Sequence, residues 1–298
     1  MNPENQTARI GTGGWEFVHE NSVWKKIIRN KAAVTGSILL SVFMISCFVP
    51  TIWTSALPDA QGDILDDSNL PPSLEHPFGT DKFARDVLSR VLYGGRVSLT
   101  IAMGTVTLSV IIGVFYGAIS GYAGGLIDAA MMRLLDLLLA FPVVMLAIAI
   151  AAIYQPDYWY LIPLLAFTGW METARLVRAE VLSVKEREFV LAAECLGLPR
   201  QRILVAHILP NSIAPVLLLI PLKIGDTILL ESSLSFLGIG VQPPVPSWGN
   251  MISDGRAGLS EHWWMIAFAG LFLILTVIAF NLIGEALRDA NNPRNGSE

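Results

Sequence analysis

Six apolar runs, each near 20 residues, divide the chain at roughly 33–53, 97–120, 134–154, 158–176, 206–231 and 263–285. At ~1.5 Å per helical residue, that length crosses a hydrocarbon core of ~30 Å. Backbone N–H and C=O groups find no water at that depth and must pair within each segment. The pattern therefore predicts an all-α membrane protein with six transmembrane helices. The first run is too long and too far into the chain for a cleaved signal peptide, and no small-residue cleavage site follows it.

The polar interruptions differ in kind. Residues 54–78 hold five acids and several prolines with little periodicity, as expected of an irregular connector. In 81–92 the character changes: Phe83, Val87, Leu88, Val91 and Leu92 would share one helical face. Asp81 with Arg85 and Asp86 with Arg90 are acid-before-base pairs four apart, each worth a few tenths of a kcal/mol on a helix. The spacing predicts an amphipathic helix lying in the outer interface, about 79–96.

Residues 183–211 form a second charged interlude. Ser183 and Glu186 have the spacing of a capping box, Gly197 suits the left-handed residue beyond a helix end, and Pro199 blocks continuation. The expectation is a helix over 184–196, about 20 Å long at ~1.5 Å per residue. That is too short to span a bilayer and long enough to dock in a partner's groove. Ala192 and Ala193 offer a face that a partner backbone can approach closely.

Composition agrees with the membrane reading. Hydrophobic residues make up 53% of 298 positions and charged residues 15%, against about 25% in ordinary soluble domains. With both termini cytoplasmic, fourteen Lys and Arg fall inside and five outside (Lys82, Arg85, Arg90, Arg96, Arg256), the remaining Lys223 lying within a run. That asymmetry sets the orientation. Residues 1–32 then form a cytoplasmic tail whose Trp24–Lys31 segment anchors the interface. Residues 33–96 hold the first span and external loop, 97–287 the core, and 288–298 a second cytoplasmic tail. A net charge of −5 is no nucleic-acid footprint. Cys47 and Cys195 fall in different compartments, so no disulfide is expected.

Smaller features carry ordinary structural expectations. Arg133 and Asp136 would pair at a helix start, Phe141-Pro142 would kink a helix, and Gly238, Gly240 and the following prolines suit a tight external turn. Trp248, Trp263 and Trp264 suit the outer aromatic belt. The chain has no Gly-x4-Gly-Lys-Ser/Thr phosphate loop, and His19, His76, His207 and His262 lack metal-ligand spacing. No Gly-x-Ser-x-Gly nucleophile turn occurs either, so an enzyme is disfavoured.

Ala192-Ala193, Gly197 and Leu209-Pro210 together resemble the coupling motif of permease subunits of ATP-binding-cassette importers, with Leu191 and His207 as departures from the usual Glu and Ile. Further strings occur in the family's order. They are Gly79-Thr80-Asp81, Arg85-Asp86-Val87-Leu88-Ser89-Arg90, Arg133-Leu134-Leu135-Asp136, Ala174-Arg175-Leu176-Val177-Arg178, Leu234-Ser235-Phe236-Leu237-Gly238, Pro246-Ser247-Trp248-Gly249-Asn250 and Arg288-Asp289-Ala290. Over residues 76–294 the chain is similar to the dipeptide/oligopeptide permease family, most like the second of its two permease subunits. The resemblance implies a bacterial inner-membrane location, a homologous permease partner, two ATPase subunits and an external solute-binding protein. It implies ATP and Mg used by those ATPases and no cofactor bound by this chain. Peptides are the implied cargo, although relatives on the same scaffold carry nickel chelates, glutathione or sugars. The implied ATPase-coupling residues are Glu188, Ala192, Ala193, Leu196, Gly197 and Arg200. Asp81, Arg85, Asp86 and Arg90 are candidates for an external gate or binding-protein contact. The competing class is a self-sufficient secondary transporter or channel, which needs no docking helix; copurification of a separate ATPase discriminates.

Lys223, Asp226 and Glu231 stand inside the fifth run. Ionisable groups at membrane depth cost ~2.5–3.5 kcal/mol on insertion scales and face protein or water. Lys223 and Asp226, three apart, either pair with each other or line the pathway and meet a zwitterionic cargo. Glu231 lies about 140° from Asp226 around a helix of ~3.6 residues per turn and belongs to no such pair; at a position where the peptide permeases often carry Glu, it is with Lys223 and Asp226 a candidate for the translocation pathway.

Overall fold

The computed structural model describes residues 30–154 and 158–291, and among these the regular structure is helical. The expected tail 1–23, most of the Trp24–Lys31 anchor and residues 292–298 lie outside the described residues. The elements are α1 (Lys31–Phe48), α2 (Val87–Ala123), α3 (Gly125–Leu139), α4 (Val143–Tyr154), α5 (Tyr158–Lys185), α6 (Glu188–Cys195), α7 (Arg200–Phe236), α8 (Trp248–Gly255) and α9 (Trp264–Ala290).

Four of these, α1, α2, α7 and α9, are long and apolar enough to cross a membrane. A fifth crossing exists if α3 and α4 count as one span, bent by 80° where Phe141-Pro142 interrupts the helix. The helix α5 has 28 residues, but Glu172, Arg175, Arg178, Glu180 and Lys185 dilute its apolar character. Several helices overshoot the runs that predict them. The run 97–120 is the middle of a 37-residue helix, which also carries the expected boundary at 96/97.

Small residues let the two best-packed helices touch. In α2, Gly113, Gly117 and Gly121 recur every four residues, and a Cβ on Gly113 would stand 2.6 Å from Thr173 Cβ of α5. Close backbone approach of this kind is how helices associate where lipid tails remove the hydrophobic drive. Against this pair pack α7 and α9, with α1 lying on α9 and α8 wedged beside α7 and α9.

Two apolar clusters matter for function. At the end where α2 begins, Val87, Val91, Trp248, Trp264 and Met265 are buried together; at the other end Val181, Val184, Val190, Ala193, Ile203 and Ile208 form a second core. Trp248 and Trp264 are thus core residues, not belt residues. Their indole N–H groups donate to the carbonyls of Val91 (3.0 Å) and Thr80 (3.2 Å), whereas Trp263 stays exposed. An indole needs one acceptor when buried, and these two have it.

The helix expected over 79–96 begins only at Val87. Asp86 is its N-cap, accepting from Ser89 N at 2.8 Å, and residues 79–86 fold as a knot with isolated bridges Gln61–Arg85 and Thr80–Asp86. The capping side chain and the left-handed Gly79 and Ala84 (φ 76° and 56°) stop helical growth before residue 87. There is accordingly no separate interfacial helix; the first turns of α2 run straight into its membrane part.

Candidate docking and translocation sites

α6 lies between the two long helices α5 and α7. Its start is not the expected capping box: Ser183 is still inside α5, the N-cap is Arg187, and no side chain caps it. Its end follows the expectation. Gly197 has φ 75°, Gly197 N donates to Glu194 O (2.9 Å) and Leu198 N donates to Ala193 O (3.2 Å). This paired closure satisfies the last carbonyls and turns the chain sharply. Pro199 then caps the first turn of α7.

The two alanines of α6 part company. Ala193, with Val190, is buried against the core beneath, while Ala192 points outward with Glu188, Leu191 and Cys195. Leu191 (49% exposed) and Leu196 (80%) give that outer surface an apolar centre, with Arg200 exposed just beyond. Further on, Leu204–Ile208 widens to a π-turn; Pro210 offers no N–H to the ladder, and one residue on, Asn211 Nδ2 donates to the carbonyl of His207 at 2.7 Å. Tyr122, near the end of α2, donates to the carbonyl of Arg200 (3.0 Å), and Lys185 reaches the carbonyl of Tyr122 (3.2 Å). Behind them Arg178 grips Asp128 in a two-pronged ion pair at 2.6 Å, tying α5 to α3. The expected Arg133–Asp136 pair does not form; Asp136 binds Arg175 at 2.7 Å across an exposed surface.

The knot ahead of α2 buries all four of its charged candidates. Asp81 accepts from Arg85 Nε (2.7 Å) and from the backbone N–H of Phe83 and Arg85, and lies 3.5 Å from Arg90 Nε. Asp86 caps α2 and meets His76 Nδ1 at 3.2 Å, instead of pairing with Arg90. Arg90, 3% exposed, donates to the carbonyl of Pro58. The helical (i, i+4) pairing expected for Asp86 with Arg90 is replaced by one shared carboxylate, because the chain before residue 87 is not helical. Lys82 reaches Asp254 of α8 at 3.2 Å.

The charges of the fifth run separate. Lys223 pairs with Glu172 of α5 at 3.4 Å, not with Asp226. Glu172, Lys223 and Asp226 all line a cavity of about 150 Å³ between α2, α5 and α7, with Thr105, Ser109, Thr168 and Thr227. Glu231 is elsewhere: fully buried, it accepts from Ser235 Oγ (2.7 Å) and Ser232 Oγ (3.3 Å), and Ser235 in turn holds Val241 N at 2.9 Å. It belongs to the packing of the turn that follows α7. Glu172 was not singled out in the sequence, although a lone carboxylate in the apolar stretch before Ala174 is a legible signal.

A helical chain with several apolar helices, a short exposed helix between two of them and a charged cavity among the long ones has the make-up of a transport subunit. The chain belongs to the family of binding-protein-dependent transport system inner membrane components, whose model matches residues 109–297. Residues 21–72 match the N-terminal TM domain of oligopeptide transport permease C. The dipeptide transport system permease protein DppC of Alkalihalophilus pseudofirmus is 40% identical over 272 residues, covering 91% of this chain and 88% of the relative. The oligopeptide transport system permease protein OppC of Haemophilus influenzae is 39% identical over 280 residues, covering 92% and 89%. OppC of Bacillus subtilis is 36% identical, with 98% of each chain covered.

Proposed function

We propose that this chain is the permease subunit of an ATP-driven peptide importer in the bacterial inner membrane. It works with a homologous permease, two ATPase subunits and an external solute-binding protein. Six crossings with both termini cytoplasmic fit the charge asymmetry, with α5 as the crossing whose Glu172, Arg175 and Arg178 find ion-pair partners on α7 and α3. The chain itself is non-catalytic; ATP and Mg serve the ATPases.

The observation that carries this reading is α6, whose inner face is packed while Leu191, Ala192 and Leu196 are left outward. Leu196 sits on the closure at Gly197, so the ATPase contact has a fixed height and angle. Glu188 and Arg200 supply the charged rim, and the Tyr122–Arg200 bond offers a route from this contact into α2. Peptide cargo is supported by the likeness to dipeptide and oligopeptide permeases. Lys223 and Asp226, with Glu172, line the pathway. The knot around Asp81, Arg85, Asp86 and Arg90 is the rigid frame of the external gate, since its charges are too buried to meet a binding protein directly.

Reconstitution tests the reading. The complex with its partner permease, ATPases and binding protein should take up labelled dipeptides or longer peptides only with ATP. Its ATPase activity should rise with the loaded binding protein. ATP-independent uptake by this chain alone would instead establish a secondary transporter.

A further inference from the structure

The lining of the cavity between α2, α5 and α7 has a one-sided hydrogen-bonding character. Each of its four hydroxyls already spends its proton on a main-chain carbonyl. Thr105 donates to Ile162 (3.4 Å), Ser109 to Ala166 (3.2 Å), Thr168 to Leu165 (2.8 Å) and Thr227 to Lys223 (2.7 Å). A hydroxyl has one proton and two lone pairs, so these oxygens face the cavity as acceptors. The single side-chain donor group with charge, Lys223, is engaged by Glu172 at 3.4 Å. Asp226 lines the same space and forms no ion pair among the described residues. Two carboxylates therefore face one ammonium, and the lining carries a surplus negative charge.

We infer that this cavity is a subsite for an ammonium group of the cargo, with Asp226 as counter-ion and the surrounding hydroxyl oxygens as acceptors. An ammonium brings three N–H donors and no acceptor, which complements such a lining; a carboxylate would meet only lone pairs and Asp226. Lys223 already faces Glu172 at 3.4 Å whereas Asp226 pairs with no cation among the described residues, so the cavity is not a symmetric clamp for both peptide termini. Gly169, on the lining, leaves room beside Ser109 because it has no Cβ. The inference rests on the peptide-importer reading and specifies what that importer selects. The ammonium is either a peptide amino terminus or a basic side chain.

The test uses the complete complex in proteoliposomes, with uptake expressed per loaded binding protein. Trialanine is compared with N-acetyl-trialanine, and Ala-Lys-Ala with its norleucine analogue. Asp226→Asn is expected to lower uptake of the ammonium-bearing member about tenfold relative to its uncharged counterpart, the scale of one charge-assisted hydrogen bond. Asp226→Glu should restore the preference. A response confined to the first pair identifies the amino terminus, and one confined to the second a basic side chain. The second pair carries the test where the binding protein refuses the acetylated form. An equal loss for all four cargoes would overturn the subsite, because the carboxylate would then serve assembly, for example against a cation of the homologous permease. Unchanged selectivity overturns it as well, while leaving the importer reading intact. A wild-type complex that moves no peptide overturns both.

Discussion

The knot ahead of α2 and the α6 region are built from similar sequence, short stretches of alternating acids, bases and aliphatic residues, and they end in opposite states. In the knot, Asp81, Arg85, Asp86 and Arg90 are buried and bonded to one another, to backbone and to His76. In α6 Glu188 and Glu194 are exposed and form no ion pair among the described residues, while Val190, Ala193 and the part-buried Phe189 go inward. A buried charge network fixes one geometry because any lost partner leaves an orphan ion. An exposed helix on a small apolar footing keeps its surface free for another protein. The knot is thus built as a frame and α6 as a handle.

Breaking the frame should produce the largest effect. Asp81→Ala leaves Arg85 and Arg90 buried without their shared carboxylate. A loss of about 3–5 kcal/mol is expected, the usual scale for removing one member of a buried pair. Melting of the detergent-purified protein would check it, and a loss below that of an exposed-pair variant such as Asp136→Asn would contradict the frame.

Next in size is the junction that links frame to handle. Gly117→Val adds two methyl groups and a Cβ where α2 lies against the backbone of Ala174 in α5. Overpacking of this kind costs about 1–3 kcal/mol. The expected outcome is lowered thermal stability together with weaker peptide stimulation of the ATPases, since the two helices can no longer approach.

Gly197→Val is a smaller and more local perturbation. A Cβ there meets nothing within 4 Å, so only the backbone at φ 75° resists, at roughly 1–2 kcal/mol. The protein should still insert and fold, while ATP hydrolysis and uptake become uncoupled. Normal coupling in this variant would show that the closure does not set the docking angle.

Leu196→Ser should have the least effect on the fold, within about 0.5 kcal/mol for an exposed side chain. It should nonetheless reduce copurification of the ATPase subunits. The contrast with Asp81→Ala, large on stability and small on docking, is the sharpest form of the comparison. If Leu196→Ser leaves ATPase copurification unchanged, the handle is misassigned.

Some features were legible because their causes are local. Gly197 was readable as a helix terminator since φ > 0 is a demand on one residue. Phe141-Pro142 was readable as a break since proline lacks the N–H that the ladder needs. The start of α6 was not, because Ser183 can cap a helix or sit on the exposed side of one, and only the length of α5 decides. Residues 79–86 misled for a related reason: an apolar face with pairs four apart has helical spacing, yet Asp86 caps the helix just ahead of Val87 and the pairs dissolve into a knot. Trp248 shows the same limit, since a Trp near the outer boundary suits belt or core alike until a carbonyl such as that of Val91 is found within reach.

The sequence by itself determined the helical class, the membrane setting, the order of the long helices and the existence of a short element between α5 and α7. These follow from apolar run length and backbone hydrogen bonding, which act within a segment. Only the tertiary structure decided which charges meet: Lys223 with Glu172 instead of Asp226, Arg178 with Asp128, Asp136 with Arg175, and Asp81 with both Arg85 and Arg90. Most of those partners come from different helices, and their meeting depends on crossing angle and rotation, which close packing at residues such as Gly113 and Gly117 sets. A charge in a sequence announces that it needs a partner; the packing of helices names it.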